Sequence, residues 1–254
     1  MSPVIHSTPF AGVDVEPTTA PEVLQADIPS VPPHYDLRDH GLVTPVRNQA
    51  NCGSCWAFAT YASLESTLLK AGEPTWDFSE NLLKNYHGFD WAPCEGGNAY
   101  MSQAYLSRWD GPVKETDDNY SDYDDRPSSG GPPQYFVREV LEFDTDAELK
   151  YGLMTYGAID TEMYREESPH YYDQASYTYY YSGSNAANHD VTIVGWDDGL
   201  VVPHAPGPGA WLIKNSYGDN WGNAGYFWIS YYDSKGANDG FCFRDAVPAD
   251  TYQK

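Results

Sequence analysis

The sequence predicts an α+β fold made of two packed subdomains with a cleft between them. Helical patterns dominate the chain from about residue 56 to residue 152, and aromatic and β-branched runs dominate it after residue 177. Helices that come early and strands that come late favour two packed layers over alternating βαβ units. With 254 residues, the chain can bury a large core, as one two-lobed domain or two small ones.

Four segments carry helix signals. Residues 56–71 contain no internal glycine or proline and space their apolar residues as an amphipathic helix does, with Gly72 as the stop. Three shorter helices are predicted over residues 79–86, over residues 98–109, and from the Thr145-x-x-Glu148 capping box to about Gly152.

Four later runs are rich in aromatic and β-branched residues and are separated by Gly, Pro, Asn and Asp. This pattern is typical of antiparallel strands. The runs cover residues 177–181, 191–196, 210–215 and 226–232.

The charge of the chain limits its partners. The 37 acidic and 14 basic residues give a net charge of −23. Because phosphate binding needs clustered Lys and Arg, this balance argues against nucleic acid and anionic lipid as partners. No run of apolar residues is long enough for a membrane span, and no secretion signal is visible in this chain.

The cysteine count points to an oxidising compartment. Cys52, Cys55, Cys94 and Cys242 fit one disulfide and one functional thiol, with one cysteine left over. Disulfides persist in extracytoplasmic locations. We therefore expect a secreted or cell-surface protein.

Residues 1–33 contain seven prolines and little hydrophobic periodicity. Such a segment is extended or disordered. It is interpreted as a linker or the remnant of a prosegment, and the alternative is a strand that lies in the cleft as an autoinhibitor.

The most informative stretch of the chain is residues 49–58. It contains Cys52-Gly53-Ser54-Cys55-Trp56, which matches the C-G-[SA]-C-[WY] signature around the nucleophilic cysteine of papain-like proteases. Together with the segment 35–49 and matching stretches to about residue 244, the chain resembles the papain family of cysteine peptidases. The resemblance implies a two-lobed fold with the active-site cleft between the lobes: a helical lobe at about residues 50–140, and an antiparallel, β-barrel-like lobe at about 141–254 plus 34–48.

The resemblance identifies four catalytic residues. Cys55 begins a helix, whose positive end favours a thiolate. His189 lies 134 residues later, within the window of about 130–150 residues that the signature expects, and is predicted to act as acid and base. Asn215 is similar to the asparagine that orients the imidazole, and Gln49 to the oxyanion-hole donor.

Further roles are implied by the resemblance. Cys94 precedes Glu95-Gly96-Gly97 and is expected to pair with Cys52, and Cys242 is expected to be free. Gly96 and Gly97 would present backbone to the substrate, because a side chain there would block the peptide. Glu65 resembles a buried structural glutamate. The acidic segment 117–125 lacks the glycine and terminal glutamate of an EF-hand, so a solvated loop is preferred over a calcium site.

Two positions depart from the usual family pattern. Tyr217 stands where a tryptophan usually covers the His–Asn hydrogen bond, which would weaken the shielding or alter leaving-side specificity. Asp190 borders the pocket for the second substrate residue before the scissile bond and is predicted to favour a basic or polar side chain there. We also expect its carboxylate to raise the pKa of His189.

These observations predict a cysteine endopeptidase that forms a Cys55 thioester and needs no metal or organic cofactor. Its partner would be a peptide or protein substrate, and a monomer made as a zymogen is expected. The alternatives are an exopeptidase or amide ligase on the same fold, or a catalytically silent binding module. An exopeptidase needs a segment that blocks one end of the cleft, and the insertion at residues 198–209, which contains His204, is the candidate.

Overall fold

The computed structural model describes residues 31–123, 130–166 and 168–251. The predicted linker or prosegment at residues 1–33 therefore lies, up to residue 30, outside the described residues. The helices described are α1 Cys55–Lys70, α2 Glu80–Tyr86, α3 Ala99–Ser107 and α4 Asp146–Thr155. The strands described are β1 His34–Asp36, β2 Tyr135–Phe143, β3 Ile159–Met163, β4 Tyr172–Asp173, β5 Thr178–Tyr179, β6 His189–Asp197, β7 Ala210–Lys214, β8 Tyr226–Ser230 and β9 Gly240–Pro248.

These strands form one sheet in the order β2-β9-β3-β6-β7-β8-β5-β4, with β1 paired to β6. Every pairing is antiparallel except that of β5 with β8. All residues of β6 from His189 to Trp196 are buried. The sheet therefore holds His189 at the start of a buried strand.

The helix α1 links the helices to the sheet. It is in contact with β3, β6 and β9 on one side and with α2 and α3 on the other. Its residues from Trp56 to Leu68 are all buried, so the predicted amphipathic character is wrong: the helix is enclosed on every side. Its hydroxyl side chains bond the sheet backbone, since Ser63 Oγ donates to Ala158 O and Thr67 Oγ1 to Phe243 O, each at 2.8 Å.

Two clusters of buried apolar side chains lie on either side of this helix. One surrounds α1, α2 and α3 and includes Trp56, Leu83 and Tyr105. The other lies within the sheet and includes Trp196 and Trp211.

The predicted α+β class is confirmed. The predicted division of the chain near residue 140 falls within β2 and stays a prediction.

The helix starts were predicted correctly because their caps are local. Ser79 Oγ accepts from Leu82 N at 3.0 Å, and Asn98 Oδ1 accepts from Met101 N at 3.1 Å. The end of α4 near Gly152 is wrong, since this helix continues to Thr155. A Cβ at Gly152 would lie 2.7 Å from the ring of Phe143, so this glycine permits close packing against β2 and does not end the helix.

The four predicted strands correspond to β5, β6, β7 and β8, while β1, β2, β3, β4 and β9 were not predicted. The strand β2 alternates buried residues with the exposed Arg138 and Glu142, and its partner β9 lies about a hundred residues later in the chain. Such a pairing leaves no signal within a short window of sequence.

Candidate active site

Cys55 is the first residue of α1, and its thiol is free. The turn before it is held by the Cys52–Cys94 disulfide, and Gly53 N donates to Cys94 O at 3.2 Å. A Cβ at Gly53 would lie 2.5 Å from Cys94 O. Glycine is therefore required at this position by the close approach of two backbone segments, and the predicted disulfide is present.

His189 and Asn215 form a buried hydrogen-bonded pair. His189 opens β6, Asn215 follows β7, and His189 Nε2 lies 2.8 Å from Asn215 Oδ1. Ser216 N also donates to this Oδ1 at 2.9 Å, which fixes the amide with its oxygen toward the ring. Since that oxygen only accepts, Nε2 carries the hydrogen and Nδ1 remains for a second partner.

Cys55 lies next to the residue that follows His189 in the chain. The backbone N–H groups of Asp190 and Trp56 act on the Cys55 sulfur and favour its thiolate. Asp190 directly follows His189 in β6. The start of α1 therefore faces the start of β6.

Burial opposes charge on either partner alone. Burial, followed by the charge of Asp190, raises the pKa of the Cys55 thiol to about 12. Burial lowers the pKa of His189 to about 4, an effect that the Asn215 bond opposes and the Arg165 charge adds to. Taken one at a time, the two shifts favour the neutral thiol and the neutral imidazole.

Two expectations about pKa values need correction. The helix terminus alone does not lower the pKa of Cys55, because desolvation of the sulfur outweighs the dipole and the two amide hydrogen bonds. Asp190 does not raise the pKa of His189, because burial of the ring dominates. The Asp190 carboxyl is itself buried, and its own pKa is raised well above the ordinary value.

Gln49 lies beside this pair in a fixed orientation. Its Nε2 donates to Cys52 O at 2.8 Å, and its Oε1 accepts from Ser216 Oγ at 2.5 Å. Tyr120 Oη donates to Gln49 O at 2.8 Å. Ser216 and Tyr120 were not among the predicted site residues. Ser216 directly follows Asn215, which was the available signal, whereas nothing in the sequence pointed to Tyr120.

The two glycines after Cys94 have structural reasons of their own. Gly96 has a φ of +105°, in the left-handed region that favours glycine, and a Cβ at Gly97 would lie 2.4 Å from the Trp56 indole. The loop therefore packs directly on Trp56, the residue after Cys55. The proposed contact of these glycines with substrate stays a prediction.

Tyr217 stacks on the ring of His189, with ring centroids 4.9 Å apart. It also contacts Trp221, at 5.5 Å and edge-on. Tyr217 thus covers the imidazole at the position where the family usually has a tryptophan. Weaker shielding or altered leaving-side specificity stays a prediction.

A row of buried, hydrogen-bonded polar side chains connects α1 to the end of β7. Lys214 Nζ donates to Thr44 Oγ1 at 3.1 Å, and Thr44 Oγ1 donates to Glu65 Oε2 at 2.5 Å. Burial lowers the pKa of Lys214 to about 8. These hydrogen bonds join α1 to the last residue of β7, one residue before Asn215. The structural role expected for Glu65 is therefore confirmed.

Other predicted features lie away from the site. Cys242 is fully buried and free, as expected. Among the residues that the structure describes, no group of three or more His, Cys, Asp or Glu is placed to hold a metal ion; the acidic segment 117–125 is described only to residue 123. In the described ranges, no helix is both long and apolar enough to cross a membrane.

Comparisons with known proteins agree with this fold. Residues 31–241 match the family described as papain family cysteine protease. The chain is 32% identical over 206 residues to the viral cathepsin of Lymantria dispar multicapsid nuclear polyhedrosis virus, which covers 77% of this chain and 53% of that protein. It is 31% identical over 210 residues to cathepsin J of Mus musculus, covering 79% of this chain and 60% of that protein.

Solved structures give the same result. The clostridial cysteine protease Cwp84 after propeptide cleavage is similar with a TM-score of 0.79 and 28% identity, covering 87% of this chain and 60% of that one. A structure of the protease and lectin-like domains of Cwp84, described as a surface layer associated protein of Clostridium difficile, has a TM-score of 0.79 and 27% identity, covering 87% of this chain and 54% of that one.

The fold is of the papain type. The chain belongs to the papain family of cysteine proteases. It spans 53–60% of the length of the two curated relatives described above.

Proposed function

We propose that this protein is a cysteine endopeptidase. Cys55 attacks the peptide carbonyl, His189 transfers the proton, Asn215 orients His189, and Gln49 donates to the oxyanion. The observation that carries the proposal is the buried His189–Asn215 hydrogen bond of 2.8 Å, placed where the amide of the next residue acts on the Cys55 sulfur.

The reaction follows from the protonation states. The Cys55 proton moves to Nδ1 of His189, and the thiolate adds to the carbonyl carbon. The imidazolium then protonates the leaving amine as the C–N bond breaks, which leaves a thioester on Cys55. Water, deprotonated by His189, hydrolyses the thioester and regenerates the thiol.

Oxyanion stabilisation is assigned to Gln49 Nε2 together with the backbone N–H of Cys55. Ser216 and Cys52 hold the Gln49 amide from both ends, so its donor does not need to reorganise during the reaction. Loss of such a donor typically costs about 2.7–4 kcal/mol of transition-state stabilisation.

An endopeptidase is favoured over an exopeptidase by the position of the insertion at residues 198–209. This insertion joins the end of β6 to the start of β7, whereas His189 lies at the start of β6 and Asn215 follows the end of β7. The nine residues of β6 span about 25 Å at roughly 3.3 Å per residue. The insertion therefore begins at the far end of the strand from His189.

Substrate contacts are assigned as follows. Gly96 and Gly97 bind the peptide backbone before the scissile bond, and Tyr217 contacts the leaving side. Asp190 favours a basic or polar side chain at the second position before the scissile bond.

The Cys52–Cys94 disulfide supports an extracytoplasmic location, whether secreted or at the cell surface. The structural relative solved after propeptide cleavage supports synthesis as a zymogen. The charge of −23 supports a protein substrate over nucleic acid.

The test combines labelling with turnover. Stoichiometric labelling of Cys55 by a peptidyl epoxide, together with hydrolysis of internally quenched peptides, is expected for the native chain and is absent from Cys55→Ala. Labelling without hydrolysis would support the silent binding module. Faster cleavage of dipeptides with free termini than of internally quenched peptides would support an exopeptidase, and transfer of the acyl group to an added amine in preference to water would support a ligase.

A further inference from the structure

One tyrosine hydroxyl joins the two ends of the loop that precedes Cys55. Tyr120 Oη lies 2.8 Å from Gln49 O and 2.7 Å from Ser54 Oγ. A carbonyl oxygen only accepts, so the single hydrogen of Tyr120 Oη goes to Gln49 O, and Ser54 Oγ donates to Tyr120 Oη. We call residues 49–54 the oxyanion loop, because it joins the two proposed oxyanion donors.

These donors stand at opposite ends of the oxyanion loop. The Gln49 amide belongs to its first residue, and the backbone N–H of Cys55 belongs to the peptide bond that follows its last residue, Ser54. The distance between the two donors therefore depends on where the loop holds its ends. A hydroxyl that is bonded to both ends is placed to keep that distance constant.

The oxyanion loop is strained at its second residue. Ala50 has a φ of +50°, in the left-handed region that residues with a side chain rarely adopt. Its N–H donates to Asn48 Oδ1 at 2.9 Å. Such a backbone conformation persists only where the surrounding structure holds it. The shape of the loop therefore depends on its contacts with the rest of the fold.

The other contacts of the loop each hold one part of it. Gln49 N donates to Ser216 O at 2.8 Å, which holds the first residue. The Cys52–Cys94 disulfide and the bond from Gly53 N to Cys94 O hold the middle.

The last residue of the loop depends on Tyr120. The Ser54 side chain makes no capping hydrogen bond to α1, although serine at this position commonly does. In the part of the chain that the structure describes, Tyr120 is the one side chain that hydrogen-bonds to both ends of the loop.

Tyr120 is itself held firmly. Its ring packs edge-on against Phe58 of α1, with ring centroids 4.9 Å apart, and Lys84 Nζ of α2 lies 5.8 Å from its centroid. Its backbone N–H donates to Glu115 Oε1 at 2.6 Å. Burial raises the pKa of Tyr120, so the hydroxyl keeps its hydrogen at neutral pH and remains a donor to Gln49.

The acidic segment at residues 117–125 brings Tyr120 to this place. Asp118 is buried and lies against the start of α2: its backbone O accepts from Ser79 Oγ at 2.6 Å, and its Oδ1 accepts from Asn81 Nδ2 at 3.1 Å. Two residues after this attachment, the chain presents Tyr120 to the oxyanion loop.

We propose that Tyr120 is a positioning residue: its hydroxyl holds Gln49 and Ser54 at the spacing that directs the Gln49 amide and the Cys55 N–H to one oxyanion. The inference rests on the proposed peptidase function and extends it to a residue that acts through the loop. The phenol neither gains nor loses a proton during the reaction.

The test is Tyr120→Phe, which keeps the ring and its packing on Phe58 and removes only the hydroxyl. With an internally quenched peptide, kcat is expected to fall by about 5–50-fold, the effect of two lost hydrogen bonds to the loop. KM should stay close to its native value, because the oxyanion forms only in the transition state. Alkylation of Cys55 by iodoacetamide should keep its native rate, because this displacement at a CH₂ carbon forms no oxyanion.

The matched control is Tyr105→Phe. Tyr105 Oη also donates to a backbone carbonyl, Asp110 O at 3.1 Å, but from α3, so this variant should keep its kcat. Adding Gln49→Ala to Tyr120→Phe should lower kcat by less than the product of the two single losses, since both changes act on the same oxyanion. Full independence of the two losses would overturn the positioning role.

Two further results would overturn this role while leaving the peptidase intact. They are a kcat unchanged by Tyr120→Phe and an equal fall in hydrolysis and in alkylation. Amide hydrogen exchange over residues 49–55 tests the role without any need for activity: it should be faster in Tyr120→Phe than in Tyr105→Phe, and equal exchange would overturn the role. A native chain that neither cleaves peptides nor reacts with an epoxide would instead overturn the proposed function.

Discussion

The sharpest structural prediction concerns Ser216, which we place as a positioning residue for Gln49. Its hydroxyl donates to Gln49 Oε1 at 2.5 Å, and both side chains are buried. In Ser216→Ala the amide keeps its bond from Nε2 to Cys52 O but loses the interaction that fixes its oxygen. The backbone bond from Gln49 N to Ser216 O, at 2.8 Å, does not depend on the serine side chain.

The magnitude follows from the bonds that remain. Loss of one buried hydrogen bond costs about 1–2 kcal/mol, which corresponds to a fall of about 5–30-fold in kcat. Because the amide donor is retained, this loss stays below that of Gln49→Ala, which removes the donor and costs about 2.7–4 kcal/mol. KM should change little, since the oxyanion contact forms in the transition state.

The assay is a double-mutant cycle on kcat/KM with one internally quenched peptide. If Ser216 acts through Gln49, the variant with both changes is as slow as Gln49→Ala alone. Ser107→Ala, an exposed serine bonded within α3, is the matched control and should keep full activity. Independent effects whose free energies simply add would refute the positioning role.

Three further predictions follow from single contacts. In Arg165→Gln the pKa of His189 rises, because the guanidinium charge that lowers it is removed. The limb of the pH–rate profile that His189 governs should therefore move to higher pH. An unmoved limb would contradict the assignment of that limb to His189. Replacing Cys52 and Cys94 together by alanine lowers the free energy of unfolding in urea by about 2–4 kcal/mol. Equal urea midpoints for the native chain and this variant would show that the disulfide adds no stability. Gly152→Ala lowers it by about 1–3 kcal/mol, since the new Cβ would lie 2.7 Å from an aromatic ring of β2; an unchanged midpoint would mean that the ring moves freely.

The proposed catalytic residues could be singled out because their signals are local or depend on spacing. The Cys52–Trp56 motif lies within five consecutive residues, His189 opens β6, and Asn215 directly follows β7; both strands have a recognisable composition. Helix caps such as Ser79 and Asn98 were predicted for the same reason, since each cap bonds a backbone N–H three residues away.

Features that depend on distant pairing were not predictable. The strands β2 and β9 are each other's partners across about a hundred residues, and neither shows a strong local pattern. The extent of burial at Cys55 is also a property of the folded chain, which is why the rise in the pKa of the thiol without an imidazolium beside it could not be predicted.

The most direct test of the central claim is the pH dependence of Cys55 alkylation in the native chain and in His189→Ala. If thiolate and imidazolium form together, the native chain reacts rapidly on a plateau that extends well below pH 8, where an isolated thiol of ordinary pKa is protonated. Without the imidazole, the plateau disappears and the rate rises only at alkaline pH, because burial holds the pKa of the sulfur at about 12. Identical profiles for the two proteins would contradict the proposed pairing of Cys55 with His189.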